Sequence, residues 1–418
     1  MENLNNEKKL GGLSLSCVFM AYFCSITAVP TGGIVGAGAD FKTGLIGIIL
    51  GFIIGAVLIS LSTWMGYKTG LKKDLLWKQM FGSQGFKICS GVIAFCMAFW
   101  ACFDFFNAAQ AMYNLMPEGY KNFGFCIAMV ILLVVTILGG VFGVDGIKLI
   151  SNLTIPIAIV LFVIIYFFCI KQVGGVETLM AYKPAQATLT IGAIAQMQVA
   201  MWMAGYCGAI DLTTRAKSTR SVITASICGS GFVFLCFLVG QVGFIGTGVQ
   251  TLADICAQLG GGIFLIGSIF VMVAQGNTTP ACDYMYSNSF SEVLHINRKI
   301  VAIVVPFIAA ILAFVIMYGP GVDFINVIVG TIGTLMGPLF GVMVADFYII
   351  RKKHLEIKDE ADLPKFRACP LLCMAFGFAL ALVLKLFPAV PVQTFVVLIV
   401  TMIVYVIADK LVLKKHKS

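Results

Sequence analysis

The side chains best placed to do chemistry lie in the third long apolar segment, AFCMAFWACFDFFNA (94–108). Trp100, Asp104 and Asn107 stand at i, i+4 and i+7, so a helix puts them on one face. A carboxylate at membrane depth costs about 2.5–3.5 kcal/mol on insertion scales, so Asp104 must meet a cavity or a partner and not lipid. It either braces a neighbouring helix or helps to build a substrate or ion site with an aromatic platform one turn away. The pattern favours the second. A further tryptophan, Trp202, sits mid-span in the sixth segment and is followed by Gly205 and Gly208, where backbone can unwind. In the eighth, FVMVAQGNTTPACDYMYSNSFSEV (270–293), Gln275, Thr279 and Asp283 share a helical face with Asn277 and Thr278 beside them. Pro280 loosens hydrogen bonding there. So many hydroxyls and amides exceed what a polar helix seam needs.

These groups need a scaffold that holds them inside a bilayer. Apolar residues make up 60% of the chain and charged residues 11%, with mean hydropathy +1.00, which excludes a water-soluble globule. Twelve stretches reach the roughly 20 residues needed to span a ~30 Å hydrocarbon core. They fall at about 12–38, 44–67, 86–116, 121–144, 149–170, 186–211, 220–246, 261–290, 299–319, 324–350, 367–387 and 391–413. The fold expected is therefore an all-α integral membrane protein. With the N-terminus in the cytoplasm, Lys42, Lys121, Lys171, Lys183 and Lys385 alone fall outside, leaving 23 of the 28 Lys and Arg on the cytoplasmic side. That is the positive-inside bias, so both termini are expected in the cytoplasm of a multi-pass protein of the plasma or inner membrane. The net charge of +9 is accordingly a topology signal and not a nucleic-acid footprint.

The first span contains ITAVPTGGIVGAGAD (26–40). Pro30, Gly32, Gly33, Gly36 and Gly38 either break the helix, freeing carbonyls as cation ligands, or serve close helix packing. With the glycines after Trp202, spans one and six are both expected to be interrupted, as a five-plus-five inverted repeat requires. The repeats would cover 12–170 and 186–350, followed by a linker at 351–366, peripheral spans at 367–413 and short tails at 1–11 and 414–418. The basic stretch GYKTGLKKDLLWKQMFGSQG (66–85) is expected to lie along the cytoplasmic interface. The eleventh and twelfth spans carry no evident chemistry. The 14 cysteines form no CxxC or Cys/His metal pattern, and the three histidines are far apart, so no metal centre is expected. The N-terminal MENLNNEKKL lacks a cleavage pattern and should stay attached.

GPLFGVMVADFYIIRKK, at the end of the tenth span, resembles the PPxxGVxxADYxxxRR signature of the nucleobase–cation symporters, the cytosine permease branch in particular. TGGIVGAGAD, GYKTGL, the mid-span Trp100 and the Asp211–Arg215–Lys217 loop fit the same family, and the similarity runs from about residue 12 to 410. The resemblance implies a LeuT-type core of ten helices in inverted repeat plus two peripheral helices. It also implies a planar base sandwiched between aromatics of spans three and six, here Trp100 and Trp202. A sodium site in the family uses carbonyls of span one and hydroxyls of span eight, which carry over to Ala21, Cys24 and Ser25 with Thr278 and Thr279. Departures occur at Met97, where cytosine permease has glutamine, and at Ala204, where it has serine. The NTTPACDYMYS stretch, with Asn277, also differs, and Asp104 replaces glycine or glutamine.

The function expected is secondary import of a nucleobase such as cytosine or a purine, or a related heteroaromatic, coupled to Na⁺ or H⁺ by alternating access. The substrate-facing set is Trp100, Asp104, Trp202, Met97, Ala204 and Asn277. Asp104 either accepts from the N–H edge of the base or carries the coupled proton. No organic cofactor and no enzymatic activity are expected; the partners are the small solute and membrane lipid, without nucleic acid, and the protein is expected to work as a monomer. The alternatives are an amino-acid or polyamine carrier of the same fold, or an intramembrane enzyme built on Asp104 and Asp283. Primary pumping is excluded by the lack of a GxxxxGK[ST] loop.

Overall fold

The computed structural model describes residues 9–23, 26–142, 144–319, 333, 336–387 and 392–415, with the backbone alone at 144–151, 153–154, 277 and 412–415. Among the described residues, eight helices are long and apolar enough to cross a membrane. The first of these, α3 (Phe41–Thr69), follows two short helices, α1 (Gly12–Tyr22) and α2 (Ala28–Gly38). Asp40 caps α3 by accepting from the Thr43 amide (2.9 Å) and hydroxyl (2.7 Å), and Gly70 closes it in the left-handed region at φ 68°. A buried helix α4 (Lys73–Phe81) then leads into α5 (Phe86–Leu115), α6 (Lys121–Phe142), α7 (Val144–Val173) and the short α8 (Val176–Ala181). The second half repeats the alternation with α9 (Ile191–Gly208), α10 (Ile210–Thr213), α11 (Thr219–Thr247), α12 (Leu252–Leu259), α13 (Gly261–Leu294) and α14 (Arg298–Tyr318). The described part of the tenth span is α15 (Met336–Ile350), and α16 (Ala368–Leu384) and α17 (Gln393–Lys415) complete the chain.

Two packing groups emerge. Helices α1, α2, α3, α9 and α11 pack on one another, and α5, α6, α13 and α14 form the other set. Outward residues such as Ile53 and Val57 of α3 or Ile311 and Val315 of α14 are exposed, as lipid-facing flanks must be. The all-α, LeuT-type class expected from the sequence is thus the one observed. The sixth span, α9, carries Gln196 and Gln198 and falls outside the eight.

Five expectations need correction. The first span is interrupted, but between Tyr22 and Ala28, upstream of Pro30. The glycine run itself is helical and serves close approach: a Cβ on Gly32 would lie 2.2 Å from the Phe237 carbonyl oxygen, and one on Gly240 2.0 Å from that of Val29. Small residues there let α2 and α11 touch backbone to backbone. In the sixth span the helix runs unbroken past Trp202 and Gly205; the interruption comes at Ala209, between α9 and α10.

The basic stretch after α3 is not an open surface helix: protein covers most of it. Lys73, Asp74, Leu76, Trp77, Lys78, Gln79, Met80 and Phe81 are all buried. The segment before α16 covers them, with Ser83 and Gln84 amides donating to the Pro364 (3.0 Å) and Lys365 (2.9 Å) carbonyls and Arg367 to that of Met80 (2.8 Å). The stretch that looked like a plain linker is thus a lid over α4. Nor is the last span chemically silent. Tyr405 of α17 donates to Asp346 (2.6 Å), which also holds Arg351 (2.5 Å) and Arg367 (3.4 Å), where the end of α15 widens into a π-turn over Ala345–Ile350. The Asp and Arg of the tenth-span signature therefore anchor the lid. A helix rich in Leu, Val and Ile gave no hint that one tyrosine would complete that cluster.

Candidate functional site

The two mid-span tryptophans meet. Trp100 of α5 and Trp202 of α9 lie with ring centroids 6.1 Å apart and planes within 2° of parallel. Each is braced by another ring in an edge-on contact: Phe103 against Trp100 (5.9 Å, 75°) and Phe23 against Trp202 (5.0 Å, 64°). Phe23 ends α1, so the interruption of the first span supplies the brace for the sixth-span indole.

Around the indoles a small cavity of about 10 Å³ is lined by Tyr22, Met97, Asp104, Gly205, Thr278 and Cys282 as well as the tryptophans. Its polar content is concentrated on one wall. Asp104 is fully buried, and its carboxylate accepts from the Thr279 hydroxyl at 3.4 Å. Thr279 also donates to the Gln275 carbonyl (2.7 Å), as a hydroxyl near a helix proline commonly does. On the opposite wall Tyr22 donates to the Gly205 carbonyl (3.2 Å), binding α1 to α9. A planar cleft with an apolar floor and roof and an acceptor on one edge suits a flat heterocycle that has N–H groups on its rim.

The site residues expected from sequence divide cleanly. Trp100, Trp202, Met97, Asp104 and Thr278 line the cavity, while Ala204 is buried behind it and Gly205 takes its place at the wall. Asn107 lies a turn above, donating to the Phe103 carbonyl (2.9 Å) and facing a separate recess with Gln110 and Asp254. Thr279 reaches the site through Asp104, and Ala21 is buried at the end of α1. Cys24 and Ser25 lie outside the described residues, as does the side chain of Asn277. The interruption also carries Thr27, whose buried hydroxyl has no hydrogen-bond partner among the described residues.

Asp283 departs from the shared face. It is buried against Gly140 of α6, beside Tyr286 and within electrostatic reach of Arg298, and does not line the cavity. It therefore makes no carboxylate pair with Asp104 in the slot. Tyr22, Phe23 and Cys282 were not anticipated. Tyr22 and Phe23 close α1, and recognising that the first helix ends there would have singled them out.

Residues 5–366 match the family described as permeases for cytosine/purines, uracil, thiamine and allantoin. The cytosine permease of Escherichia coli K12 is 22% identical over 374 residues, covering 88% of this chain and 85% of that protein. The hydantoin permease of Microbacterium maritypicum is 18% identical over 378 residues, 84% and 76% of the two chains. Among solved structures, a nucleobase-cation-symport-1 family transporter, closed and with bromovinylhydantoin bound, superposes at TM-score 0.79 with 16% identity over 98% of this chain and 94% of its own. A Na⁺-coupled sialic acid symporter in an outward-open state shares the fold at TM-score 0.71, 13% identity and 97% and 92% coverage. With the profile matched over most of its length, the chain belongs to the family of permeases for cytosine/purines, uracil, thiamine and allantoin.

Proposed function

We propose that the chain is a secondary active importer that takes a nucleobase, or a flat heterocycle of similar size, between Trp100 and Trp202 and couples its entry to Na⁺ or H⁺. The observation that carries this reading is the parallel indole pair with Asp104 at its edge. Family membership and the bromovinylhydantoin bound by the similar nucleobase-cation-symport-1 transporter support it. Asp104 would accept from ring or exocyclic N–H groups, and Thr278 would donate to a ring carbonyl or bare nitrogen. The coupling cation, if sodium, would sit between the first-span interruption and Thr278 and Thr279, with Ala21 and the unpartnered Thr27 hydroxyl beside it. Alternating access would rock the α5–α6–α13–α14 group against the α1–α2–α9–α11 group, which the repeats at 12–170 and 186–350 would provide. Both termini would be cytoplasmic, by the charge bias.

Thermal-shift screening of the purified protein against cytosine, adenine, guanine, uracil and hydantoin, each with Na⁺, K⁺ or a pH series, tests it. Ligand-specific stabilisation follows mass action. Stabilisation by amino acids or polyamines and by no heterocycle would replace the reading with the other solute class.

A further inference from the structure

A second cluster of buried ions, outside the slot, is built on α4. Lys73 is fully buried, with its ammonium 3.0 Å from Asp74 and 3.1 Å from Asp211, and its amide donates to Asp211 at 2.6 Å. Asp74 in turn accepts from Ser90 and, at 3.1 Å, from Ser289. These partners come from different helices: Ser90 from α5, Ser289 from α13, and Asp211 from α10, directly after α9. Each is spaced alike from the slot. Ser90 stands ten residues before Trp100, Ser289 ten after Thr279 and Asp211 nine after Trp202. At 1.5 Å per residue all three fall about 13–15 Å from the indoles, toward the same end of the bundle. The layer between is closed by Tyr22, Met285, Gly208 and Cys207: a Cβ on Gly208 would lie 2.8 Å from the Tyr22 hydroxyl and 3.5 Å from the Met285 sulfur.

The cluster joins the helix that carries Trp100 to the one that carries Trp202, across the two packing groups. We infer that Lys73, Asp74 and Asp211 form an ionic plug, with α4 as its stopper, that closes the pathway from the slot to the cytoplasm and must come apart for substrate to leave. α4 is held from behind so that it can act as a unit. Trp77 donates to the Met343 sulfur of α15 (3.4 Å), Lys78 reaches Glu292 (3.0 Å) and Glu360 (3.2 Å), and Gln79 donates to the Lys358 carbonyl (2.8 Å). Of these partners Glu360 and Lys358 belong to the lid, Met343 to α15 and Glu292 to the C-terminal end of α13, while the Lys73 and Asp74 bonds run to α5, α10 and Ser289 of α13. Parting the two packing groups strips Lys73 from Asp211 or Asp74 from its serines, and water entering there solvates the separated charges. A fully buried ion cluster that breaks its bonds only when wetted gives a two-state closure and not a graded one.

This inference rests on the transport reading, but its test needs no substrate. Cys207 of α9 and Cys89 of α5 are buried beside the plug, within electrostatic reach of Lys73 and Asp74 respectively. Cys169 of α7 and Cys256 of α12 are buried toward the other end. Purified protein is treated with N-ethylmaleimide, and alkylation is followed residue by residue by peptide mass spectrometry. Asp211→Asn, which keeps shape and removes one charge, should speed labelling of Cys207 and Cys89 by roughly tenfold or more, because a lost partner is costly in a buried ion cluster. Labelling of Cys169 and Cys256 should not change. Ser289→Ala, which alters no charge, should act in the same direction by a few fold and serves if Asp211→Asn is not recovered folded. Wild-type labelling rates in the folded variants would overturn the plug. Equal acceleration at all four cysteines would overturn it too, showing general loosening.

Discussion

Replacing Trp100 by alanine removes one wall of the slot, and the geometry sets how much that should cost. With planes only 2° from parallel, the 6.1 Å centroid distance is an upper limit on the gap between ring planes. A flat ring stacked on both sides needs about 3.5 Å per contact, or about 7 Å in all. The indoles must therefore part by at least about 1 Å to admit a base, after which each face makes one full stack. Base–aromatic stacking contributes about 1–3 kcal/mol per face, so losing one face should weaken binding by roughly 5- to 150-fold. Trp100→Phe, which retains a smaller ring, should fall between wild type and alanine. Equilibrium binding of the radiolabelled base that stabilises the protein best measures this, with gel-filtration profiles checking the fold. That check is needed because burying nothing in place of a tryptophan can cost about 3–5 kcal/mol of stability. In a variant lacking Trp64 and Trp77, the remaining fluorescence comes from Trp100 and Trp202 and should be quenched by the same ligand. A well-folded Trp100→Ala protein that binds within about twofold of wild type would refute the sandwich.

Asp104→Asn should abolish uptake while leaving the protein folded, since the amide keeps the shape but presents an N–H₂ where an acceptor is needed; transport at the wild-type rate in proteoliposomes would remove Asp104 from the mechanism. Tyr405→Phe should lower stability by about 1.5–3 kcal/mol, the range for a hydrogen bond to a charged group, read as a lowered melting temperature. Gly240→Ala should destabilise by at least about 1–3 kcal/mol, because its Cβ falls on the Val29 carbonyl between two backbones that cannot give way. The pH response of Lys73 has a definite sign. Burial lowers its pKa, but Asp211 and Asp74 together outweigh that and the net shift is upward. Its contribution is therefore full below the ordinary lysine value of 10.5 and fades as pH rises through the raised one. The gap in melting temperature between wild type and Lys73→Met should hold from neutral pH to that point and narrow above it.

The slot was legible because its parts break local rules. A carboxylate and two tryptophans in mid-span are expensive or misplaced for a lipid-facing helix, so each announced an interior role. The all-α membrane class and the family followed from hydropathy and from the span-ten signature. What stayed hidden depended on long-range packing. The charged stretch at 66–85 carries the residues of a surface helix, and only the lid at 351–367, placed by Asp346 and Tyr405, shows that it is covered. The glycines of the first span were ambiguous for a similar reason. Gly32 and Gly240 serve a backbone contact between helices 200 residues apart, which no local pattern announces. The true break falls at residues whose side chains give no comparable signal.

The closeness of the indoles also bears on leakage. About 10 Å³ is at most the room one water molecule requires, so no file of water can thread between the rings while they are together. A hydrated cation arriving from either mouth finds no wire to follow and would have to shed its shell against apolar faces. On the proposed reading, the rings that would grip cargo would also insulate the bilayer when no cargo separates them. Dissipation of the driving force would then be confined to moments when a solute already holds the faces apart.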